Sequence, residues 1–356
     1  MKNSVIVVGA GIIGCAVARE LAVRGVACTV IDDRPVGGGA TRASAGMLAP
    51  YVEAHAGGPL LDLGIRSLDL YPDWIPSVRR ESDVEVEFGL IGTLEVALTA
   101  DRAAELRQNG RAYGEWLEPA DVAHTCPHLR PTAGALSNED HGYVDAPQLA
   151  AALARAASRA GATFARSRVL GISPEGALRV TTTTGIHEAT DVVLAAGAWT
   201  NAIEGVRTPP LRPVRGQLLQ LEWQGRPLKT VIWGTDCYIV PRLDGTALVG
   251  ATVEEAGFDE RTTEEGIRGL RDAAADLLPM TRDLRLIEAR VGLRPATPDA
   301  LPVIGPDPIV AGLFHASGHY RNGVLLAPIT AKLIGDLIVE GKRDACLPAF
   351  APDRFW

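Results

Sequence analysis

The sequence of 356 residues predicts a mixed α/β fold in which two kinds of architecture alternate along the chain. A strand–helix–strand pattern, typical of a parallel sheet, occupies residues 5–32. Antiparallel strand patterns follow residue 218, around an Asp-Gly turn at 244–245. Residues 323–340 then form an apolar helix pattern. Because elements of the first kind lie at the beginning, middle and end of the chain, we expect two interleaved domains.

The N-terminal pattern has the glycine spacing of a dinucleotide-binding unit. Four apolar residues, 5–8, predict a buried strand, and residues 12–21 predict the helix that follows it. Between them Gly9, Gly11 and Gly14 form G-x-G-x-x-G, which allows a tight turn, close approach of the backbone to a pyrophosphate, and close helix–strand packing. The helix N-terminus supplies free N–H groups and partial positive charge for the phosphates.

A second strand pattern, residues 27–31, ends at Asp32, about 18 residues beyond the last glycine. A carboxylate there can accept hydrogen bonds from a ribose hydroxyl, which favours a dinucleotide over a plain glycine-rich turn. The motif leaves open whether that dinucleotide is NAD or FAD. Residues 35–50 are rich in Gly, Ala, Ser and Thr, which is typical either of backbone lying against a flat group or of a flexible loop.

The rest of the chain divides into further helix and strand patterns. Helices are predicted over 61–80, 100–116, 119–126, 147–160 with Asp145 as cap, and from a Thr262–Glu265 capping box to 278. Strands are predicted over 84–96 with breaks at Gly89 and Gly92, and over 169–173, 178–184, 191–196, 218–223, 231–233, 238–242, 247–253 and 284–294. The predicted dinucleotide-binding domain comprises 1–80, 140–215 and 295–356, and the second domain comprises 81–139 and 216–294.

Composition and charge argue against several classes of function. The formal net charge is −8 and no run of five basic residues occurs, so a nucleic-acid surface is not expected. No apolar run approaches the roughly 18 residues of a membrane span, and the N-terminus is interpreted as mature sequence. The 5 cysteines are scattered without C-x-x-C, which favours a reducing cytoplasm. His124, Cys126 and His128 lack a fourth ligand, so no metal site is predicted.

Seven short motifs occur in the order found in one enzyme family. They lie at residues 7–14, 38–50 (GGATRASAGMLAP), 215–217 (RGQ), 238–242 (YIVPR), 249–252 (VGAT), 292–295 (GLRP) and 318–328 (GHYRNGVLLAP). On these motifs the chain resembles the FAD-dependent D-amino-acid and glycine oxidases along nearly its whole length, and most of all the glycine oxidases of thiamine biosynthesis. The resemblance implies a Rossmann-like FAD-binding domain with a discontinuous antiparallel-sheet substrate domain. A homo-oligomer is also expected.

The resemblance implies that the cofactor is FAD and that it is held non-covalently. Its pyrophosphate is expected at the glycine turn, its ribose on Asp32, and its isoalloxazine near residues 41–47. The cysteine that carries the flavin in related sarcosine oxidases aligns with Gly292, and Cys346 lies far downstream. The predicted cofactor-binding residues are Gly9, Gly11, Ile12, Ile13, Gly14, Asp32, Asp33, Thr41, Arg42, Ser44, Ala45, Gly46, Met47, Val169, Ala196, Gly197, Trp199, His319, Arg321, Asn322, Gly323, Val324 and Leu325.

The segment before the last helix pattern is expected to face the pyrimidine edge of the flavin. The positive end of a helix beginning near Gly323 would stabilise negative charge on a reduced flavin, unless its glycines serve only the turn. His319 is expected close by, where it affects the flavin potential or oxygen access, or is simply a satisfied hydrogen-bonding group. Trp199 and Trp233 are expected in the core or in the pocket wall.

Three residues match the family's substrate-binding positions. Arg294 is expected to bind the substrate carboxylate, because the planar fork of arginine suits it; the alternative is a structural ion pair with a nearby acid. Tyr238 matches the tyrosine whose hydroxyl also reaches the carboxylate; the alternative is a core aromatic. Arg321 matches an arginine beside the active site, but it could equally cap the last helix.

Two departures from the family bear on the substrate. Asp236 replaces a histidine two residues before the tyrosine, and Val253 replaces a methionine after VGAT. An acid in the pocket repels a carboxylate side chain and attracts a second amine, and a smaller side chain widens the pocket. We therefore expect activity on glycine or sarcosine with tolerance for larger D-amino acids or cyclic amines such as D-proline.

The predicted reaction is oxidative deamination of the amine by hydride transfer from Cα to flavin N5. Oxygen is the expected acceptor, which gives hydrogen peroxide and an imine that hydrolyses to the oxo acid and ammonia. The alternative within the same fold is a D-amino-acid or opine-type dehydrogenase that passes electrons to a quinone or another acceptor. A third possibility is a flavin-binding subunit of a larger complex, against which Tyr238 and Arg294 speak.

Overall fold

A computed structural model describes residues 4–53, 57–110, 113–174, 176–224 and 228–356, apart from the side chain at position 109. Its strands are β1 (Ser4–Val8), β2 (Ala27–Asp32), β3 (Met47–Leu48), β4 (Phe88–Gly89), β5 (Thr93–Ala97), β6 (Glu115–Leu117), β7 (Gly134–Asn138), β8 (Gly142–Val144), β9 (Thr163–Arg166), β10 (Val169–Ser173), β11 (Leu178–Thr182), β12 (Gly185–Ala189), β13 (Asp191–Leu194), β14 (Arg212–Glu222), β15 (Val231–Trp233), β16 (Tyr238–Pro241), β17 (Thr246–Gly250), β18 (Leu286–Ala296), β19 (Val303–Pro306) and β20 (Leu313–Ser317). Its α-helices are α1 (Ile12–Val23), α2 (Pro50–Glu53), α3 (Pro59–Leu68), α4 (Tyr71–Ser82), α5 (Ala100–Gly110), α6 (Pro119–Thr125), α7 (Ala146–Arg159), α8 (Glu264–Leu277) and α9 (Ala327–Gly335).

The first of two large sheets is mostly parallel and has the strand order β19-β20-β13-β1-β2-β9. Its central strand β1 is buried on both faces. Val5 and Val7 pack with residues of α1, α7 and α9, whereas Ile6 and Val8 pack with the small sheet β10-β11-β12. Covering of both faces explains why this strand is a continuous apolar run rather than an alternating one. The β1–α1–β2 unit is therefore the one predicted from the glycine motif.

The second large sheet is mostly antiparallel, with the strand order β18-β14-β17-β16-β15-β5-β7-β6. The long strands β14 and β18 pair over their whole lengths, with Val214 opposite Arg294 and Gly216 opposite Gly292. On the other side of β14, β17 pairs with β16, which places Gly250 opposite Tyr238. These pairings bring the predicted substrate-binding strands β16 and β18 into one sheet. The mixed α/β fold class is confirmed.

Several element boundaries were wrong. The helix predicted over 61–80 is two helices, α3 and α4, because Pro72 begins a new helix in its first turn. The helix predicted over 100–116 ends at Gly110, and its last residues form β6 through pairing with β7. The strand pattern over 84–96 forms strands only at β4, which ends at Gly89, and at β5, which begins after Gly92, so its two predicted breaks are present but residues 84–87 are not in a strand. At β6, long-range strand pairing outweighed the local helix pattern.

The predicted starts of three helices, α7, α8 and α9, can be compared with the structure. Asp145 caps α7 as predicted, since its Oδ1 accepts a 2.8 Å hydrogen bond from the Gln148 N–H. The cap of α8 is Thr263 rather than Thr262, because its Oγ1 accepts from the Gly266 N–H. The last helix begins at Ala327, not near Gly323, and residues 323–326 are turns. The helix dipole therefore begins four residues later than expected.

The six-stranded sheet draws its strands from residues 4–32, 163–194 and 303–317, and the eight-stranded sheet from 93–138 and 212–296. The division into two discontinuous domains, with its boundaries, stays a prediction. Within the part of the chain that the structure describes, no helix is long and apolar enough to cross a membrane.

Candidate active site

A cavity of about 840 Å³ lies where the two large sheets meet, and residues of both line it. The six-stranded sheet contributes the ends of β1, β2, β13 and β20, and the eight-stranded sheet contributes parts of β16, β17 and β18. Carboxyl ends of parallel strands are where ligands bind in open α/β sheets. The cavity is thus the candidate active site.

The glycine turn after β1 forms one part of the wall. Gly9 has φ +109°, and a Cβ there would overlap the carbonyl oxygen of Ala195. A Cβ on Gly14 would overlap the carbonyl oxygen of Gly9, so that glycine allows α1 to lie close to β1. Thr41 Oγ1 accepts a 3.0 Å hydrogen bond from the Ile12 N–H. The first turn of α1 leaves further N–H groups for an anion in the cavity.

Asp32, at the end of β2, holds its carboxylate at the cavity wall. Its Oδ2 accepts a 2.7 Å hydrogen bond from the Ala10 N–H and its Oδ1 a 2.8 Å bond from the Arg34 N–H. Burial raises the pKa of this carboxyl above its ordinary value, against the lowering effect of those two bonds. Each oxygen keeps a lone pair that can accept from a ribose hydroxyl.

Arg294, on β18, is a mostly buried guanidinium at another part of the wall. Its Nη1 donates a 2.9 Å hydrogen bond to the Thr252 carbonyl oxygen. Among the described residues, no carboxylate oxygen lies within 4.0 Å of a nitrogen of the Arg294 guanidinium, so the side chain has no ion pair there. Burial lowers its pKa, and the nearby charge of Arg321 lowers it further. A buried guanidinium without a protein carboxylate is suited to bind an anionic ligand.

Tyr238, on β16, lies beside Arg294. Its ring centroid is 5.1 Å from that of Trp233, and burial raises the pKa of its hydroxyl. Tyr238 and Arg294 both lie over glycines of neighbouring strands. A Cβ on Gly250 would overlap the Tyr238 hydroxyl, and one on Gly216 would overlap the Arg294 guanidinium. These glycines make room for the two side chains, but a pattern read along one strand does not show this, because each glycine lies on a strand different from that of the side chain above it.

Arg321 forms an ion pair with Glu53, since its Nη2 donates a 3.0 Å hydrogen bond to Glu53 Oε1. Burial alone would lower the pKa of Arg321, but the charge of Glu53, its hydrogen bond and the nearby Tyr238 and Tyr320 together outweigh burial, and the net shift is upward. Arg321 does not cap α9, which has no side-chain cap. Its orientation toward the cavity is therefore set by a residue of α2.

His319 is 4% exposed and borders the cavity. Its Nε2 lies 3.0 Å from the Thr330 Oγ1, and burial lowers its pKa to about 3. The imidazole is accordingly neutral at ordinary pH. It adds no positive charge to this part of the wall.

Most of the predicted cofactor-binding residues lie in the cavity wall. They are Gly9, Gly11, Ile12, Ile13, Asp32, Asp33, Thr41, Ser44, Ala45, Met47, Val169, Ala196, Gly197, Trp199, His319, Arg321, Gly323 and Val324. Gly14, Arg42, Gly46, Asn322 and Leu325 are not among the wall residues. Gly14 serves packing, and the Leu325 carbonyl oxygen accepts from the Ser67 hydroxyl instead of facing the cavity.

Other wall residues were not predicted as site residues. They include Arg34, Glu53, Ser167, Arg168 and Thr252. Asp236 and Val253, the two departures from the family, are both in the wall and exposed, and Trp233 lies there too. Arg34 directly follows Asp33 in the sequence, so the predicted cofactor-binding segment could have been extended to include it. Glu53 lies on a four-residue helix that no sequence pattern indicates.

Comparison with known proteins agrees with this geometry. The family model described as FAD dependent oxidoreductase matches residues 4–337. The chain belongs to this family. It is 35% identical over 358 residues to the glycine oxidase of Geobacillus kaustophilus. The aligned region covers 97% of this chain and 94% of that protein. The crystal structure of that enzyme superposes with a TM-score of 0.93 at 34% identity, over 98% of both chains.

Two further relatives widen the comparison. The chain is 36% identical to the bifunctional protein ThiO/ThiG of Trichormus variabilis over 370 residues, 100% of this chain but 55% of that protein. It thus spans about half the length of that relative. Iminodiacetate oxidase from Chelativorans sp. BNC1 has a TM-score of 0.90 at 26% identity, over 98% of both chains. The predicted resemblance is confirmed, and the chain is a glycine-oxidase-like, FAD-dependent oxidoreductase.

The wall fits the FAD of this family. The first turn of α1 suits the pyrophosphate, Asp32 suits a ribose hydroxyl, and the small residues Thr41, Ser44 and Ala45 leave room for a flat ring. Gly292, in the wall, offers no thiol for a covalent bond to the flavin. Among the described side chains, no group of three or more His, Cys, Asp or Glu could hold a metal ion.

Proposed function

We propose that this FAD-dependent enzyme oxidises glycine and sarcosine, with tolerance for larger D-amino acids and cyclic amines, and that oxygen is its electron acceptor. The observation that carries the proposal is the mostly buried guanidinium of Arg294 beside the hydroxyl of Tyr238. An α-amino acid brings the carboxylate that this cation lacks among the described residues. The glycine oxidases among the relatives support the substrate class.

Arg294 and Tyr238 orient the substrate. The guanidinium donates to the carboxylate, and the hydroxyl of Tyr238 adds a second donor from the neighbouring part of the sheet. Two donors from rigid strands fix both the position and the tilt of the carboxylate, and with them the direction of the Cα–H bond. Because Arg294 is held by the Thr252 carbonyl oxygen, its fork is positioned before the substrate arrives.

When bound, FAD would supply the redox chemistry, namely uptake of a hydride from the substrate Cα and reduction of oxygen to hydrogen peroxide. The substrate is left as an imine, which water hydrolyses to the oxo acid and an amine or ammonia. The protein excludes water from the carboxylate by burying Arg294. Because His319 is neutral, the positive charge near the substrate comes from Arg294 and Arg321.

Asp236 and Val253 support the wider tolerance. Both are exposed and line the cavity, so a substrate side chain extending beyond Cα meets a carboxylate and a short aliphatic group. The carboxylate attracts a second amine and repels a second acid. Larger neutral or cationic substituents are therefore expected to be accepted.

Anaerobic mixing of the yellow holoenzyme with glycine, sarcosine, D-alanine, D-proline and L-alanine tests the reaction. We expect bleaching of the flavin band by the first four and none by L-alanine. Peroxide formation in aerated buffer then separates an oxidase from a dehydrogenase that reduces only a dye. Bleaching by glycine alone would remove the tolerance, and no bleaching by any amino acid would favour a subunit of a larger complex.

The bifunctional ThiO/ThiG relatives support a role in thiamine synthesis, which we include in the proposal. A homo-oligomer and a cytoplasmic location stay predictions. Analytical ultracentrifugation of the holoenzyme measures the first, and growth of a deletion strain with and without thiamine measures the pathway.

A further inference from the structure

Four charged side chains surround the substrate-binding part of the cavity. Arg294 and Arg321 supply two positive charges, and Glu53 and Asp236 supply two negative ones. The charge of Arg321 lowers the pKa of Arg294, and Tyr238 raises the pKa of both arginines. The two guanidinium groups therefore act on the same small volume. How these four charges are paired decides which anions the site can take.

The two arginines differ in what they contact. Arg294 donates to backbone carbonyl oxygens, and among the described residues it has no carboxylate in ion-pair distance. Arg321 is engaged by Glu53 at 3.0 Å, and the Glu53 side chain is only 13% exposed. A partly buried pair of this kind is costly to separate, because each charge would lose its partner in a place with little water. One free cation and one neutralised cation therefore face the substrate.

We infer that Glu53 is a specificity-determining residue that limits the site to amines carrying a single carboxylate. One carboxylate neutralises Arg294. A second carboxylate at Arg321 meets a charge that Glu53 already neutralises, and elsewhere in the wall it meets Asp236. Iminodiacetate, which has two carboxylates on one amine, is thus rejected in favour of sarcosine, which has one. The inference rests on the proposed function for its choice of amines.

The charge pairing also says what should happen when Glu53 loses its charge. In a Glu53→Gln variant, Arg321 keeps a hydrogen-bonding neighbour of the same shape but no counter-ion, so a second cation becomes available. The preference for iminodiacetate over sarcosine, as the ratio of the two kcat/KM values, should rise about tenfold or more. A ratio is used because a general loss of activity cancels from it.

Asp236→Asn is the matched control. It removes one negative charge from the same cavity wall without touching Arg321, and its ratio should rise less than about threefold, as for an exposed charge. The double variant Glu53→Gln/Arg321→Gln should return to the ratio of the wild type, since the released cation is gone. Equal rises in Glu53→Gln and Asp236→Asn, or an unchanged ratio in Glu53→Gln, would overturn the inference.

A binding measurement keeps the test independent of turnover. Acetate and malonate, neither of which is oxidised, are titrated into each holoenzyme and followed by perturbation of the flavin spectrum. The Kd ratio of malonate to acetate should fall about tenfold in Glu53→Gln and return in the double variant. If sarcosine fails to reduce the wild-type flavin, the proposed function fails, whereas these dissociation constants still decide the role of Glu53. An unchanged Kd ratio overturns that role whatever the substrate.

Discussion

Arg34 and Glu260 form a bidentate ion pair in which both Nη atoms lie 2.8 Å from the carboxylate oxygens. Arg34 follows β2 of the six-stranded sheet, and Glu260 belongs to the segment between β17 and α8. The guanidinium also lies over the ring of Trp199, at 3.9 Å from the centroid. Since Arg34 and Trp199 line the cavity next to Asp33, the pair connects the two halves of the fold beside the expected cofactor.

Glu260→Gln should speed the release of FAD about two- to fivefold, because a partly exposed ion pair contributes up to about 1 kcal/mol. The rate is measured as the rise of free FAD fluorescence after dilution of the holoenzyme. Glu255→Gln is the matched control, since Glu255 lies in the same segment and pairs with Arg212, away from Arg34. Equal release rates in wild type and Glu260→Gln would show that the pair does not hold the cofactor.

Arg294→Lys should raise the KM for glycine by about a hundredfold. Lysine keeps the charge but lacks the planar fork, so a bidentate carboxylate loses its geometry. The measurement is the steady-state turnover rate as a function of glycine concentration. Arg290→Lys serves as control, because it lies on the same strand and its Nε donates to Glu288 instead. A KM within about threefold of the wild type would contradict the role assigned to Arg294.

Gly14→Ala should destabilise the fold by about 2 kcal/mol or more, because its Cβ would overlap backbone of the preceding turn and push α1 from β1. Gly269→Ala, in an exposed helical position with no atom within 4 Å of a new Cβ, should stabilise by about 0.5–1 kcal/mol. Urea unfolding measures both. Equal free energies of unfolding for Gly14→Ala and Gly269→Ala would contradict the conclusion that Gly14 is needed for α1 to pack closely on β1.

His319 should make the free energy of unfolding decrease as the pH is lowered. Its pKa is about 3 in the folded chain, below the ordinary 6.5, so the unfolded chain binds a proton first as the pH falls below 6.5. That group contributes its stability fully above pH 6.5 and loses it progressively toward pH 3. Between pH 7 and 5 the loss from this group is about 2 kcal/mol.

His319→Gln tests this dependence, because an amide keeps a partner for the Thr330 hydroxyl but does not titrate. The free energy of unfolding of both proteins is compared at pH 7 and pH 5. The wild type should lose about 2 kcal/mol more than the variant. Equal losses in the two proteins would mean that His319 is protonated in the folded state.

The elements predicted best were those with a local cause. The G-x-G-x-x-G turn, the Asp145 cap and the strand ending at Asp32 depend on residues within one or two elements, and the structure has them nearly where they were predicted. The predicted start of α9 was wrong because Pro328 lies in the first helical turn, whereas Gly323 before it belongs to a turn. Family resemblance, rather than periodicity, indicated Arg294, Tyr238 and FAD.

The sequence by itself determined the dinucleotide-binding unit, the family and the cofactor, since each depends on motifs of a few consecutive residues. Only the tertiary structure decided which charges meet. Glu53 lies 268 residues before Arg321, and Arg34 lies 226 residues before Glu260. No local pattern couples such positions, because the two members of each pair lie on elements far apart in the sequence that only the tertiary fold brings together. The fold pairs Arg321 with Glu53 and leaves Arg294 without a carboxylate partner among the described residues.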